Sequence, residues 1–558
     1  MEARLLPGDT PDLRKQRGAY FTPYPIADFL VAWALAGRRD ATLLDPTCGE
    51  GVFLQAAARR LAVAGATPGD IRNQLFGVDL HQDSLVEASR LLAADGHEAT
   101  LLCGDFFDQP TPAQLGARLP WVDAVVGNPP FVRYHEHRGS VRAKSAAAAL
   151  AQGVRLSGLA SSWAALLVHA CAFLKPEGRV AMVLPAELLT VGYAEPVRQW
   201  LRRRFQAVHL VLFRELQFAD AEEQVVLLVA RGSGGCDAFA LHEVRDADEL
   251  QHLHPFDGTA VAPHPSGKWT DLLLPGERRH LFRQVASAHY TPLSAYGQPE
   301  LGTVTGANDF FALSEATRAR YDIGRQHLTP IVPPGTKHLR GTRFTRGRWE
   351  QLKLEGHRVW LLNPSVKRPS GGLARYIAHG EELGVHEAYK CSVRKPWWKP
   401  PVVPPPDLFF TYMSHRYPRL IRNEAGVSLV NSMHGVMLRS DAPALVREAL
   451  PLLTYNSVTM LGAEIYGRSY GGGILKMEPR EAAELPVPRP DVLERAWSLL
   501  EAHRAKLDEL VRAGEWREVV REVDDALLCR TVGLSSSEVA GLREAAALLR
   551  RRRTRRDD

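Results

Sequence analysis

Four consecutive residues could bind an amino group: Asn128, Pro129, Pro130 and Phe131. The two prolines follow an apolar run, remove two backbone donors and stop any strand or helix at that point. They also hold the backbone extended, so a carbonyl of the turn and the side-chain oxygen of Asn128 can face one point. Two such acceptors match the two N–H donors of an exocyclic amine and leave its lone pair directed at an electrophilic methyl group. The ring of Phe131 offers a flat face for stacking the ring that carries the amine.

By itself this turn would also suit a cap on a buried strand, with Phe131 in the core. Three carboxylates favour the chemical interpretation, because Asp45, Asp79 and Asp105 each stand at the end of a predicted strand. Ligands of an open α/β sheet bind beyond the carboxyl ends of its strands. We expect Asp79 to accept from two ribose hydroxyls. We expect Asp105 to accept from an adenine amine, with Phe106 against the purine face.

The turn that begins at Asp45 reads DPTCGEG and contains two glycines. Gly49 and Gly51 lack the Cβ atom that would keep a ligand away from the backbone. Leu54 stands where a dinucleotide fingerprint has its third glycine, which disfavours a pyrophosphate. A nucleoside without phosphate and with a cationic tail fits these residues, and S-adenosylmethionine is such a molecule.

Alternating strands and helices position these residues. Apolar runs alternate with segments of helical periodicity that end at glycine, which predicts a doubly wound α/β sheet. The predicted strands are 41–46, 75–80, 99–105, 122–130, 179–185, 208–213 and 223–230. From about 256 to 488 the chain is richer in Pro, Trp, Arg and Lys. The last part is helical and ends in a charge run whose tip we expect to be disordered.

Composition excludes several classes of protein. With 558 residues the chain needs more than one core, and a formal charge of +6 permits a polyanionic partner without requiring one. Six scattered cysteines, with no histidine at ligand spacing, predict neither a disulfide framework nor a metal site. No apolar run approaches the ~20 residues of a membrane span. We therefore expect a cytoplasmic protein that is not bound to a membrane.

In motif order the chain resembles the gamma-class N6-adenine DNA methyltransferases of type II restriction-modification systems. The resemblance is carried by GAYFTPYPIADFLVAWA (18–34), DPTCGEG, GVDL, CGDFF and NPPF, in that order. It implies a Rossmann-like class I S-adenosylmethionine-dependent methyltransferase domain, a C-terminal mixed α/β target-recognition domain and a helical C-terminal tail. The implied activity is methyl transfer from S-adenosylmethionine to N6 of an adenine flipped out of double-stranded DNA.

The resemblance also implies roles for particular residues. The catalytic turn comprises Asn128 to Phe131, and Phe131 and Phe218 stack the target base. The implied cofactor contacts are Tyr20, Thr22, Asp45, Thr47, Gly49, Gly51, Asp79, Leu80, Asp105, Phe106 and Pro130. Two positions depart from the family pattern: Phe131 replaces a more frequent tyrosine, and ASSWAALL (160–167) stands where many relatives have Asp-Leu-Tyr.

The implied domains are 1–255 for methyl transfer, 256–488 for DNA specificity and 489–558 for the helical tail. Basic residues of the middle domain are candidates for DNA contact, more to phosphates than to bases: Lys337, Arg340, Arg343, Arg346, Arg348, Lys390, Arg394, Lys395, Lys399 and Arg468. The pair Trp397-Trp398 is interpreted as packing. We expect a monomer, with a cognate restriction endonuclease encoded separately.

Other functions remain open at this point. The same turn could methylate N4 of cytosine, an RNA base or a protein glutamine. A different class is a DNA-binding specificity subunit of a defence complex, in which the cofactor site is only structural.

Overall fold

In a computed structural model, the described residues are 22–131, 139–158, 160–213, 225–253, 258–262, 267–470 and 473–554. The predicted cofactor residue Tyr20 and the predicted stacking residue Phe218 lie outside them. The chain forms two compact units, Met1–Leu273 and Leu274–Asp558. The three domains proposed from the sequence remain a prediction. Within the described residues, no helix is both long and apolar enough to cross a bilayer.

The first unit is built on a nine-stranded sheet of order β3-β2-β1-β4-β5-β7-β6-β8-β9. Its strands are β1 (Leu43–Asp45), β2 (Leu75–Asp79), β3 (Thr100–Cys103), β4 (Val122–Gly127), β5 (Leu174–Pro185), β6 (Ala207–Phe213), β7 (Val225–Arg231), β8 (Phe239–Val244) and β9 (Thr259–Val261). Strands β1 to β5 pair in parallel, whereas β7 is antiparallel to both β5 and β6. All seven predicted strands are present, and the predicted Rossmann-like fold is confirmed. The sequence did not predict β8 and β9.

The sheet is buried on both faces. Leu43 and Leu44, neighbours in β1, belong to two different hydrophobic clusters, as do Val180 and Ala181 in β5. Successive side chains of a strand point to opposite faces, so each cluster covers one face of the sheet. This two-sided burial explains why the strands appear in the sequence as continuous apolar runs.

Helices cover these faces. Their bounds are Tyr24–Leu35, Val52–Val63, Pro68–Gln74, Gln82–Ala94, Gly139–Ala151, Ser162–Ala170, Glu187–Thr190 and Glu195–Arg204. The helix Val52–Val63 begins after Gly51, which has a φ of +85°. A Cβ atom at Gly51 would lie 2.9 Å from the Cβ of Ala88, so this glycine allows two helices to pack closely.

The second unit is mixed α/β. Its strands are β10 (Tyr290–Pro292), β11 (Gly297–Leu301), β12 (Ala312–Ser314), β13 (Leu328–Pro330), β14 (Arg343–Phe344), β15 (Arg358–Leu362), β16 (Leu408–Phe410), β17 (Met413–Ser414), β18 (Leu420–Asn423), β19 (His434–Leu438), β20 (Arg468–Tyr470), β21 (Ile474–Lys476) and β22 (Pro486–Pro488). They form sheets of order β11-β19-β16-β18-β14, β12-β15-β13, β17-β21-β20 and β10-β22.

The helices of this unit are Gly276–His289, Asn308–Phe311, Glu315–Tyr321, Arg346–Leu354, Gly371–Glu382, Tyr389–Ser392, Ala444–Leu453, Ser457–Tyr466, Pro479–Ala483, Pro490–Leu500, Arg504–Ala513, Trp516–Asp524 and Ser536–Thr554, with a π-helical segment at Asp525–Val532. The predicted helical C-terminal part is therefore confirmed. Its last helix continues through the arginine run to Thr554. The tip that we expected to be disordered, 555–558, lies outside the described residues.

Candidate active site

Four parallel strands end at one edge of the first unit's sheet. Strands β3, β2, β1 and β4 are adjacent and run in the same direction, so the residues that follow them meet at that edge. Asp45 and Asp79 are the last residues of β1 and β2, and Asp105 and the Asn-Pro-Pro-Phe turn come just after β3 and β4. The sheet topology therefore brings the cofactor candidates and the catalytic candidates together.

The Asp79 carboxylate holds the glycine turn against β2. One oxygen accepts from the amide of Gly49 at 3.0 Å, and the other accepts from the amide of His81 at 2.9 Å. Gly49 has a φ of +50°, and a Cβ atom there would meet no atom within 4 Å. Gly49 is thus open to a ligand, whereas the packing against Ala88 already explains Gly51.

Asp45 lies beneath both turns and is fully buried. Its Oδ1 accepts from the amide of Thr47 at 3.1 Å, and a Cβ atom at Gly127 would lie 2.9 Å from the same oxygen. Burial raises the pKa of Asp45 to about 8, against the hydrogen bond from Thr47 and with a smaller contribution from the charge of Asp79. Within the described residues, Asp45 Oδ2 and Thr47 Oγ1 have no hydrogen-bond partner. Asp45 therefore joins the glycine turn to the base of the catalytic turn.

Two side chains from elsewhere in the chain hold the catalytic turn. The Asn128 Nδ2 atom donates to Thr22 Oγ1 at 3.2 Å, which fixes the orientation of the carboxamide. The Ser162 hydroxyl donates to the carbonyl of Pro130. Phe131 is partly buried and packs against both hydrophobic clusters of the unit, so one part of its ring is accessible.

Asp105 lies beside a lysine that the sequence did not indicate. Its Oδ1 accepts from the amide of Phe107 at 3.0 Å and caps a short 3-10 helix. Lys144 Nζ lies 3.8 Å from Asp105 Oδ2 and 2.5 Å from Asp108 Oδ2. A donor group of a ligand would therefore share Asp105 with a cation.

Two predicted contacts next to these carboxylates differ in exposure. Phe106 is buried, with its ring centroid 5.0 Å from that of His169 and 5.2 Å from that of Phe173. Leu80 is 63% exposed, which is unusual for a leucine and places an apolar side chain beside Asp79. The apolar side chain exposed to a ligand here is thus Leu80, whereas Phe106 belongs to the hydrophobic core.

Sequence reasoning missed two residues of this site. Ser162 was noted only as a departure from a family pattern, and Lys144 lies in an alanine-rich helix without a motif. Both reach the site from helices distant in sequence, and no local pattern could have identified them.

The candidate DNA-binding residues fall into two groups. Five are exposed and have no carboxylate within ion-pair distance among the described residues: Lys337, Arg340, Lys390, Lys395 and Lys399. Five are engaged by the protein itself. Arg343, Arg346, Arg348 and Arg468 pair with Glu424, Glu350, Glu355 and Glu481, and Arg394 donates to the carbonyls of Val304, Thr305 and Trp397.

Trp397 is partly buried and packs against a hydrophobic cluster of the second unit, with its ring centroid 5.5 Å from that of Phe310. The packing interpretation of this tryptophan is thereby confirmed.

A Rossmann-like sheet with these two turns at its edge defines a class, that of the amino-methylating methyltransferases. Comparisons with known proteins indicate which methyltransferases within this class the chain is similar to. Residues 5–211 match the family model of the N-6 DNA methylases, and residues 266–528 match that of the C-terminal domain of the type II methyltransferase M.Eco57I.

Two type II methyltransferases match most of the chain. The type II methyltransferase M.AccI of Acinetobacter calcoaceticus is 23% identical over 84% of this chain and 84% of its own. M.XamI of Xanthomonas campestris pv. amaranthicola is 24% identical over 84% of this chain and 85% of its own. Among solved structures, the type IIG restriction endonuclease BpuSI has a TM-score of 0.44 at 17% identity, covering 97% of this chain and 67% of that one. The two family models and the two relatives support a type II restriction-modification N6-adenine DNA methyltransferase.

Proposed function

We propose that the protein transfers the methyl group of S-adenosylmethionine to N6 of an adenine flipped out of duplex DNA, and that it protects host DNA from a cognate endonuclease. The gamma-class motif order, with the cofactor motifs before the catalytic turn and the recognition region last, is part of this proposal. Flipping costs a few kcal/mol of stacking and pairing. Stacking on Phe131, worth roughly 1–3 kcal/mol per base, offsets part of that cost.

The residues at the sheet edge fit such a methyl donor. The open space above Gly49 admits a ligand to the backbone. The unpartnered Thr47 hydroxyl supplies a polar group, and Asp79 retains lone pairs for ribose hydroxyls. Leu80 offers exposed apolar surface to a purine. When bound, the donor supplies an electrophilic methyl on a sulfonium.

The chain's own residues position the acceptor amine. Since the Pro130 carbonyl already accepts from Ser162, we assign the second acceptor of the turn to the carbonyl of Pro129. The Asn128 amide oxygen is the first acceptor. Together they hold both amine hydrogens and align the nitrogen lone pair with the methyl carbon. A new N–C bond forms as the S–C bond breaks, and the amine then releases one proton to solvent.

One contact carries the proposal: the 3.2 Å hydrogen bond from Asn128 Nδ2 to Thr22 Oγ1. Thr22 belongs to the predicted cofactor motif and Asn128 to the predicted catalytic turn. Two motifs more than 100 residues apart therefore meet at one edge of the sheet, as a reaction between two bound substrates requires.

The test compares Asn128→Ala with Asn73→Ala, an exposed asparagine of the same unit. Asn128→Ala should lower methyl transfer to duplex DNA by roughly 10²- to 10³-fold, by analogy with removal of one preorganised hydrogen-bonding group from other active sites. Its affinity for S-adenosylmethionine, measured by calorimetry, should change no more than a few-fold. Asn73→Ala should behave as the wild type. Full activity of Asn128→Ala would falsify the catalytic assignment.

Recognition of DNA sequence is assigned to the second unit. Its five exposed candidates, listed above, are the groups available for phosphates or base edges. Their individual replacement by alanine should weaken DNA binding without changing the affinity for S-adenosylmethionine.

Three further properties belong to this proposal. The protein acts as a monomer in the cytoplasm, where its DNA substrate lies, and a separate chain supplies the endonuclease. Sedimentation of the protein with and without duplex DNA tests the first point. Digestion of host DNA by an extract of the source organism, before and after methylation, tests the last.

A further inference from the structure

Three arginines surround one tryptophan in the second unit. The guanidinium carbons of Arg416, Arg517 and Arg550 lie 5.1, 5.6 and 5.6 Å from the ring centroid of Trp516. The ring of Tyr417 lies 6.0 Å from that of Trp516. We call these five residues the tryptophan–arginine patch. Arg550 lies beyond residue 528, where the family-model match ends.

The charges of the patch are concentrated. The three guanidinium groups lie within about 11 Å of one another around the same ring, so they repel each other. Arg416 and Arg517 are exposed, and the structure records no carboxylate within ion-pair distance of either among the residues it describes. Cation–π contacts with Trp516 offset part of the repulsion. A polyanion bound to the patch would reduce the remaining repulsion among the guanidinium groups.

Buried charges hold the patch in place. The Arg553 side chain is 5% exposed and pairs with Glu464, which is 2% exposed. The same guanidinium donates to the backbone carbonyls of His415 at 3.3 Å and Arg416 at 3.5 Å. It thereby fixes the loop that carries Arg416 to the end of the last helix.

A second ion pair, between the half-exposed Arg543 and a buried carboxylate, holds the same helix ten residues before Arg553. Arg543 Nη2 lies 2.8 Å from Asp524 Oδ2, and the side chain of Asp524 is 1% exposed. Arg550 follows Arg543 by two helical turns and so lies on the same face. The patch is thus a preorganised surface, built where the sequence shows only a run of charges.

We propose that the tryptophan–arginine patch binds the phosphate backbone of duplex DNA outside the bases that are read. The proposal rests on the proposed function, because DNA is the polyanion that this enzyme must hold. Each strand of duplex DNA carries one phosphate per about 3.4 Å of axis, so a span of about 11 Å holds about three phosphates per strand, which matches the three guanidiniums in number. Arginine is suited to this role, because its planar donor groups match phosphate oxygens.

The test uses the full chain with Arg416→Gln/Arg517→Gln, and Arg439→Gln/Arg495→Gln as the control. The control removes the same formal charge from two exposed arginines that pair with Asp441 and Asp491. The probe is a labelled 30-base-pair duplex of arbitrary sequence, titrated by fluorescence anisotropy at several KCl concentrations. Each phosphate contact contributes about 0.9 to the slope of log K against log [salt].

The patch variant lacks two phosphate contacts and should therefore lose about 1.8 of that slope, while the control keeps the wild-type slope. Over the tenfold range of salt from 1 M to 0.1 M KCl, a slope lower by about 1.8 corresponds to binding that is about 60-fold weaker at 0.1 M. Arg416→Lys/Arg517→Lys should restore most of the slope. A patch variant with the control's slope would overturn the proposal and favour an acidic protein as the partner. Methyl transfer at low salt and saturating DNA is measured on the same preparations. If the wild type transferred no methyl group, the proposed function would be rejected, whatever the salt dependence of DNA binding shows.

Discussion

Asp45→Asn should remove a pH dependence from the stability of the first unit. The Asp45 carboxyl is fully buried, and burial raises its pKa from 3.8 to about 8, which exceeds the opposing effect of the Thr47 amide. The folded state therefore holds this proton more tightly than the unfolded chain does. The resulting stabilisation is complete below pH 4 and is lost as the pH rises toward 8.

The change in the free energy of unfolding follows from the shift in the pKa of Asp45. Each pH unit between the two pKa values changes the free energy of unfolding by about 1.4 kcal/mol. Between pH 5 and pH 7 the wild type should therefore lose about 3 kcal/mol through Asp45 alone. An asparagine has nearly the same shape and does not titrate, so Asp45→Asn should lack this loss.

Pulsed hydrogen exchange against urea, read by mass spectrometry on peptides of β1 and β4, measures the stability of the first unit separately from that of the second.

Asp123→Asn is the matched control. Burial would raise the pKa of Asp123, but hydrogen bonds from Lys175 and Thr42 prevail and hold it at about 2. The stability that Asp123 contributes is complete above pH 4 and is lost only as the pH falls toward 2. The difference between wild type and Asp123→Asn should thus stay constant from pH 5 to 7. Parallel curves for the wild type and Asp45→Asn over that range would refute the reasoning.

Two further predictions concern the two turns. Ser162→Ala removes the hydrogen bond to the Pro130 carbonyl and should lower kcat about tenfold, the equivalent of roughly 1.4 kcal/mol, with cofactor affinity unchanged. Ser162→Thr keeps the hydroxyl and should restore the rate. Equal rates for the wild type and Ser162→Ala would exclude a positioning role. Asp79→Ala releases the Gly49 amide and should chiefly weaken cofactor binding, so an unchanged affinity in calorimetry would remove Asp79 from the pocket.

Much of the first unit could be predicted from the sequence, for a physical reason. A parallel sheet buried on both faces needs continuous apolar strands, and these are visible in the chain. Parallel strands also present their carboxyl ends at one edge, so residues after β1, β2 and β4 were expected to meet. Ser162 could not be predicted, because it reaches Pro130 from a helix distant in sequence and no sequence pattern around it indicates this contact.

The second unit was less predictable. Its strands are short and form four small sheets of irregular order, so they leave little periodicity in the sequence. In the sequence, the terminal arginines appear only as a charge run whose tip we expect to be disordered. One member, Arg553, is instead buried against Glu464, and a buried ion pair between residues 89 positions apart leaves no local trace.

The central claim is that the Asn-Pro-Pro-Phe turn methylates adenine at N6 in DNA. Long-read sequencing of DNA from cells that express the wild type or Asn128→Ala tests it most directly. The account predicts N6-methyladenine at one sequence motif with the wild type and none with the variant. Modified cytosine in place of adenine, or the same adenine methylation with both proteins, would contradict it.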